Sequence, residues 1–151
     1  MAARTKKLRR PFGGNRNNLP PEEFVLFLDE NLHNCQPILD VLSAAEIHCE
    51  RHVDHFAPGT PDNEWLPYVG QRGWVLLNQD RRIRYNELEK RALLRFRLRV
   101  FVYTSGTQSG KEMAETLRLA LPKLRRVCRK STGPFIASIT KSGTVQIKFG
   151  R

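Results

Sequence analysis

Carboxylates placed directly after apolar runs are the clearest candidates for chemistry in this chain. In "FVLFLDENL" five apolar residues, 24–28, lead straight into Asp29, Glu30 and Asn31. Asp62 precedes "NEWLPYVGQ" with Glu64 two residues on, and Asp80 follows a second apolar run, "WVLLN". Acids gathered at one place repel and raise one another's pKa unless a cation sits among them. Hard oxygen donors with open positions suit Mg2+ or Mn2+, ions that keep several waters and bridge to phosphate. Each acid also has an ordinary explanation, Asp62 as a helix cap and Asp80 as a turn residue.

Whether these acids meet depends on the elements that carry them. Residues 24–28 read as a buried strand. A helix is expected over 33–45, where Ile38, Val41, Leu42 and Ala45 share a face, and a short strand over 47–53. The breaker-rich loop "HFAPGTP" closes at Pro61, and a helix over 62–71 follows, N-capped by Asp62, stopped by Gly73 and carrying Pro67 in its interior. Strands are expected over 74–77 and 98–104, with a basic helical segment over 85–96 between them. A helix over 109–127 places Met113, Leu117, Ala120, Leu121 and Leu124 on one face, interrupted by Pro122.

This alternation predicts an α/β fold, three layers α/β/α around a central, mostly parallel sheet. The end departs from it: "PFIASITKSGTVQIKFG" alternates around a turn at 141–143 and predicts an antiparallel hairpin. Residues 1–23 read as a flexible basic arm, and 24–151 as a single domain. In open α/β sheets ligands sit beyond the carboxyl ends of the strands. Asp29 and Asp80 follow two such ends, and Asp62 opens the helix that leaves a third. All three are expected on one rim, with Glu30 and Glu64 nearby.

Composition narrows the partners. The chain has 151 residues, 40% hydrophobic and 27% charged, which is ordinary globular material. No apolar run approaches the ~18 residues of a membrane helix. Cys35, Cys49 and Cys128 are odd in number and show no metal or disulfide spacing, so a reducing cytoplasm is the expected location. The 26 Lys and Arg outnumber 15 Asp and Glu, a net +11 that favours a polyanion such as RNA. Solubility alone is the plainer explanation of that surplus.

Three other motifs are weaker. "SGTQSGKE" leaves three residues between Gly106 and Gly110 where a phosphate-binding P-loop has four, and Glu112 stands where Ser or Thr would hold magnesium. "HCERHVDH" suggests zinc, yet on a strand His48 and His52 would face one way and Cys49 and His55 the other. Surface or partly satisfied histidines are the default there. Arg81, Arg82 and Arg84 directly follow Asp80, where they either clamp a phosphate backbone or form a solvated face.

Taken together, "FLDENL", "PDNEWLPYVGQRGWVLLNQD" and "RVFVYTSG" resemble the PIN-like nuclease domains, in particular the compact group related to VapC-type toxin ribonucleases. The resemblance covers roughly residues 24–124. It implies a metal-dependent endoribonuclease in which Asp29, Asp62 and Asp80 are the catalytic metal ligands for Mg2+ or Mn2+, supported by Glu30 or Glu64. It also implies a cognate antitoxin protein and a homodimer. One departure matters: larger PIN domains add an acid after the fourth strand, where this chain has "TSGTQS". Thr104 or Ser105 there could bind water or RNA phosphate, but neither is a strong ligand. The alternative is a non-catalytic basic RNA-binding or partner-binding module on the same frame.

Overall fold

The computed structural model describes residues 24–79, 87–104 and 108–150, with the backbone alone for 87–89. Asp80, Arg81, Arg82, Arg84 and Ser105, all singled out above, lie outside the described residues, as do the arm and Tyr85. In chain order the elements are β1 (Leu26–Leu28), α1 (Gln36–Ala44), β2 (Cys49–Arg51), α2 (Asp62–Gln71), β3 (Val75–Asn78), α3 (Glu87–Phe96), β4 (Arg99–Tyr103), α4 (Gly110–Lys130), β5 (Phe135–Ile139) and β6 (Val145–Gly150). A 3-10 turn, His52–Asp54, follows β2.

One six-stranded sheet runs in the order β2-β1-β3-β4-β5-β6. The first five strands pair in parallel and β6 is antiparallel to β5, as the alternation and the hairpin predict. From β1 the chain first steps outward to β2 and then returns past β1 to β3. The order therefore reverses between β1 and β3, and the crevice at that reversal is where such sheets bind ligands.

Helices α1 and α4 pack together on one face of the sheet, and α2 and α3 on the other. The strand period of two explains the division. Leu26, Leu28, Val75 and Leu77 enter the core under α1 and α4, while Phe27 and Leu76 enter the core under α2 and α3. All six are fully buried, because both faces of a parallel sheet are covered. A shift in the β5–β6 register leaves Lys148 as an extra residue, so Val145 and Ile147 pack under α4 while Phe149 joins the opposite core. Gly70 lets α2 approach α3: a Cβ there would lie 2.4 Å from the Phe96 carbonyl oxygen.

Two expected boundaries and one expected cap differ for local reasons. Helix α1 begins at Gln36 rather than 33, because the Asp29 carbonyl accepts from the N–H groups of Leu32 and His33 and closes a separate turn first. Strand β2 keeps only Cys49–Arg51, and His52 belongs to the 3-10 turn. Helix α2 begins at Asp62, but its N-cap is Pro61 and Asp62 is its first helical residue. The proposed Asp62 cap is therefore corrected: its Oδ1 accepts the Trp65 indole N–H at 3.1 Å.

Candidate active site at the carboxyl edge of the sheet

Asp29 emerges from the most enclosed part of the molecule. β1 is paired on both sides and apolar throughout, and Asp29 follows it while still only 5% exposed. An ionised carboxylate so deep needs hydrogen bonds or a cation around it. One comes from its own turn, where Asn31 N–H donates to Oδ1 at 3.0 Å. In register, Leu28 stands beside Leu77, which brings Asp29 next to Asn78, the buried last residue of β3. Asp29 and Asn78 thus close the two strands that border the crevice.

The second wall comes from β2 and the loop after it. Glu30 Oε2 accepts the Gly59 N–H at 3.0 Å, tying the turn after β1 to the loop that leads into α2. Its Oε1 is 3.9 Å from His52 Nε2. Asp62 is exposed at the start of α2, held by the Trp65 indole. The Trp65 ring stacks on Phe27 at 5.6 Å, so a core residue of β1 fixes the tryptophan that fixes the acid. Glu64, exposed in the same first turn, is two residues further along that helix. Acidic residues in a first turn also meet the favourable end of the helix dipole.

His52 sits between these acids. It is 1% exposed, and neither ring nitrogen has a hydrogen-bond partner. Burial holds its pKa below the ordinary imidazole value; Glu30 and Asp62 oppose that shift, and His33 and His55 add to it. His52 is therefore a neutral ring packed among Phe56, Trp65 and His33, not the surface histidine expected from the sequence. His33, also buried, accepts the Val53 N–H on Nδ1 at 3.1 Å.

The remaining histidines form a separate group around β2. Glu50 is bracketed by His48 and by His55, whose Nε2 lies 2.7 Å from Oε1, and His55 Nδ1 is 3.1 Å from the Tyr68 hydroxyl. Burial alone would raise the Glu50 pKa, but the two imidazole hydrogen bonds outweigh it and hold the carboxyl below its usual range. Burial pushes the Cys49 thiol up to about 12, which removes it as a nucleophile at neutral pH. Among the described residues, no three His, Cys, Asp or Glu side chains are placed to hold a metal ion, and this applies to the histidines of "HCERHVDH" and to Asp29, Glu30, Asp62 and Glu64 alike.

The structure thus places Asp29, Glu30, Asp62 and Glu64 on one rim, with Thr104 at the end of β4 on the same edge. Thr104 donates its single hydroxyl proton to the Ile139 carbonyl at 3.3 Å. The carboxylate oxygens of Asp29 and Asp62 have the donor chemistry that suits Mg2+ or Mn2+. Asp80, the third expected ligand, follows β3 two residues beyond Asn78 and lies outside the described residues. What the sequence reading missed is the support beneath: Phe27, His52, Phe56 and Trp65 come from three separate segments and meet only in the fold.

Known proteins agree with this architecture. A family model described as "PIN like domain" matches residues 24–105, more than half of the chain. A protein of Mycobacterium tuberculosis (strain ATCC 25618 / H37Rv), named as a candidate ribonuclease, VapC45, is 25% identical over 126 residues, covering 81% of this chain and 90% of that protein. No solved structure matches the chain significantly.

Proposed function

Because the chain belongs to the PIN-like domain family, we propose that it is a metal-dependent endoribonuclease, the toxin of a toxin–antitoxin pair. The observation that carries this reading is Asp29: a carboxylate 5% exposed, at the end of an interior strand, beside the reversal of strand order. Asp29, Asp62 and Asp80 would hold Mg2+ or Mn2+, which when bound supplies positive charge against the phosphodiester and lowers the pKa of attacking water. Glu30 supports them by fixing the Gly59 loop, and with it the approach to Asp62. Trp65 orients Asp62 through its indole N–H, which engages one carboxylate oxygen. The three arginines after Asp80 carry the charge to hold the RNA backbone beside the scissile bond. RNA as substrate draws support from the name of the mycobacterial relative and from the net +11. The cytoplasmic location, the antitoxin partner and a homodimer follow from the resemblance to VapC-type toxins.

The test is cleavage of bulk cellular RNA by partner-free protein in Mg2+, Mn2+ and EDTA, beside Asp62→Asn and Asp80→Asn. Metal-dependent cutting that both variants lack supports the reading; undiminished cutting by Asp80→Asn removes it. One observation favours the second reading, a non-catalytic RNA-binding module: the end of β4 carries Thr104, already directed at Ile139, where larger PIN domains carry an acid. That module binds RNA with a steep salt dependence, shows no turnover and does not respond to chelation.

A further inference from the structure

The charge of this chain is segregated along its length. Residues 116–151 contain nine Lys and Arg and no Asp or Glu, whereas residues 24–115, which hold every candidate acid, contain eleven Lys and Arg and thirteen Asp and Glu. The break falls inside α4. Its first two turns are acidic but occupied: Glu112 closes a capping box with Ser109, and Glu115 pairs with Arg118. Past Pro122 the exposed residues of the helix are Lys123, Arg126, Arg129 and Lys130, with Lys123 Nζ donating to the Gly143 carbonyl at 3.5 Å. Spacings of three and four residues put them on one side of the helix. Among the described residues none of the four is in an ion pair. Lys141, also exposed, stands at the hairpin turn beside the middle of α4, where Thr116 donates to its carbonyl at 3.0 Å.

We infer that this face is a second RNA site, a track for the phosphate backbone that leads from the hairpin turn to the far end of α4. The inference rests on the reading of RNA as the substrate and extends it. Two simpler accounts are insufficient. A basic last turn complements the helix dipole, but that effect fades within one turn, and Lys123 and Arg126 lie further in. Surfaces built for solubility intersperse both signs, and this one has a single sign. An acidic protein partner fits less well, since protein interfaces are anchored by aromatic or aliphatic side chains. Among the described residues the exposed surface past Pro122 offers no such anchor, and Leu119, 45% exposed one turn earlier, is a single aliphatic side chain.

The position sets the kind of RNA. With 21 residues, α4 is ~31 Å long. It starts near the acidic rim and ends at the opposite edge of the sheet, where β5 begins. The cations themselves run only from Lys141, beside Thr116, to Lys130, about 21 Å or roughly six phosphates along a duplex strand. A duplex stem holds its phosphates at that fixed spacing, which a short single strand does not, so the ligand is an RNA with a helical stem.

The test compares wild type with K123Q/R126Q/R129Q/K130Q, binding a stem-loop RNA with a stem of about 20 base pairs and a hexanucleotide. Both are measured in EDTA at several salt concentrations, so that no strand is cut. Circular dichroism confirms that the variant is folded, and R126K/R129K, which keeps the charge, is measured beside it. The expected result is roughly tenfold or greater weakening on the stem-loop, with the salt slope reduced by about three to four. The hexanucleotide changes little, and R126K/R129K stays near wild type. Stem-loop affinity and slope equal to wild type in the quadruple variant overturn the inference, including where the variant loses only capture of polyglutamate, which marks an acidic protein site. A protein that cuts no RNA in Mg2+ or Mn2+, yet loses stem-loop binding in the variant, keeps this site while the nuclease reading fails.

Discussion

Under α1 and α4 the sheet is sealed by Leu28, Leu42, Leu77, Leu117 and Leu124, and the hydroxyl of the one tyrosine there, Tyr103, donates to the Met113 carbonyl at 3.0 Å. Under α2 the same strands meet Phe27, Trp65 and Trp74, with His52 and His55 set edgewise among the rings. Both faces exclude water. Among the described residues, the second places imidazole rings and a polar indole next to the rim where Asp29 and Asp62 stand. The difference teaches that the aliphatic face supplies cohesion, while the aromatic face also transmits position from the core to the acids.

Phe27→Ala breaks the comparison most sharply. The ring is fully buried, stacked on Trp65 at 5.6 Å and Trp74 at 5.9 Å. Its truncation is expected to cost about 3–5 kcal/mol in urea unfolding. RNA cleavage per folded molecule should also fall, because Trp65 orients Asp62. Leu124→Ala on the opposite face is expected to cost about 2–5 kcal/mol with cleavage per folded molecule retained. Equal losses of cleavage in the two variants would show that the faces do not differ in this way.

Smaller changes sharpen the same contrast. Ser109 caps α4 by accepting the Glu112 N–H at 3.1 Å, and Ser109→Ala should cost about 0.5–2 kcal/mol, seen as a lower Tm with RNA binding retained. The smallest effect is a pH slope. His52 has a pKa lowered from 6.5 by burial, so between that value and its folded value the unfolded chain binds more protons. Its contribution to stability is complete above about pH 6.5 and is lost as the pH falls through that window. In His52→Leu this part of the slope should flatten; an unchanged slope would assign it to other groups.

The elements themselves were legible where local rules decide them. Five consecutive apolar residues made β1, the 3.6-residue spacing of Met113, Leu117 and Leu121 made α4, and alternation around Gly143 made the hairpin. The rim was legible too, because a parallel sheet puts every βα connection on one edge. The boundaries that failed did so where a side chain or turn competes locally: the Asp29 turn delayed α1, and the 3-10 turn took His52 out of β2. The aromatic support was not legible, since Phe27, His52 and Trp65 come together through packing across the sheet, which no periodicity reports. The cations of α4 read as part of a general surplus until the fold showed which of them face solvent together.

The central claim is that the carboxylates closing β1 and opening α2 hold a divalent cation. Its most direct test is calorimetric titration of Mn2+ into metal-free protein, beside Asp29→Asn prepared in the same way. The account predicts saturable binding to wild type and its loss in the variant, with folding retained in both. Mn2+ binding of equal strength in Asp29→Asn would contradict it.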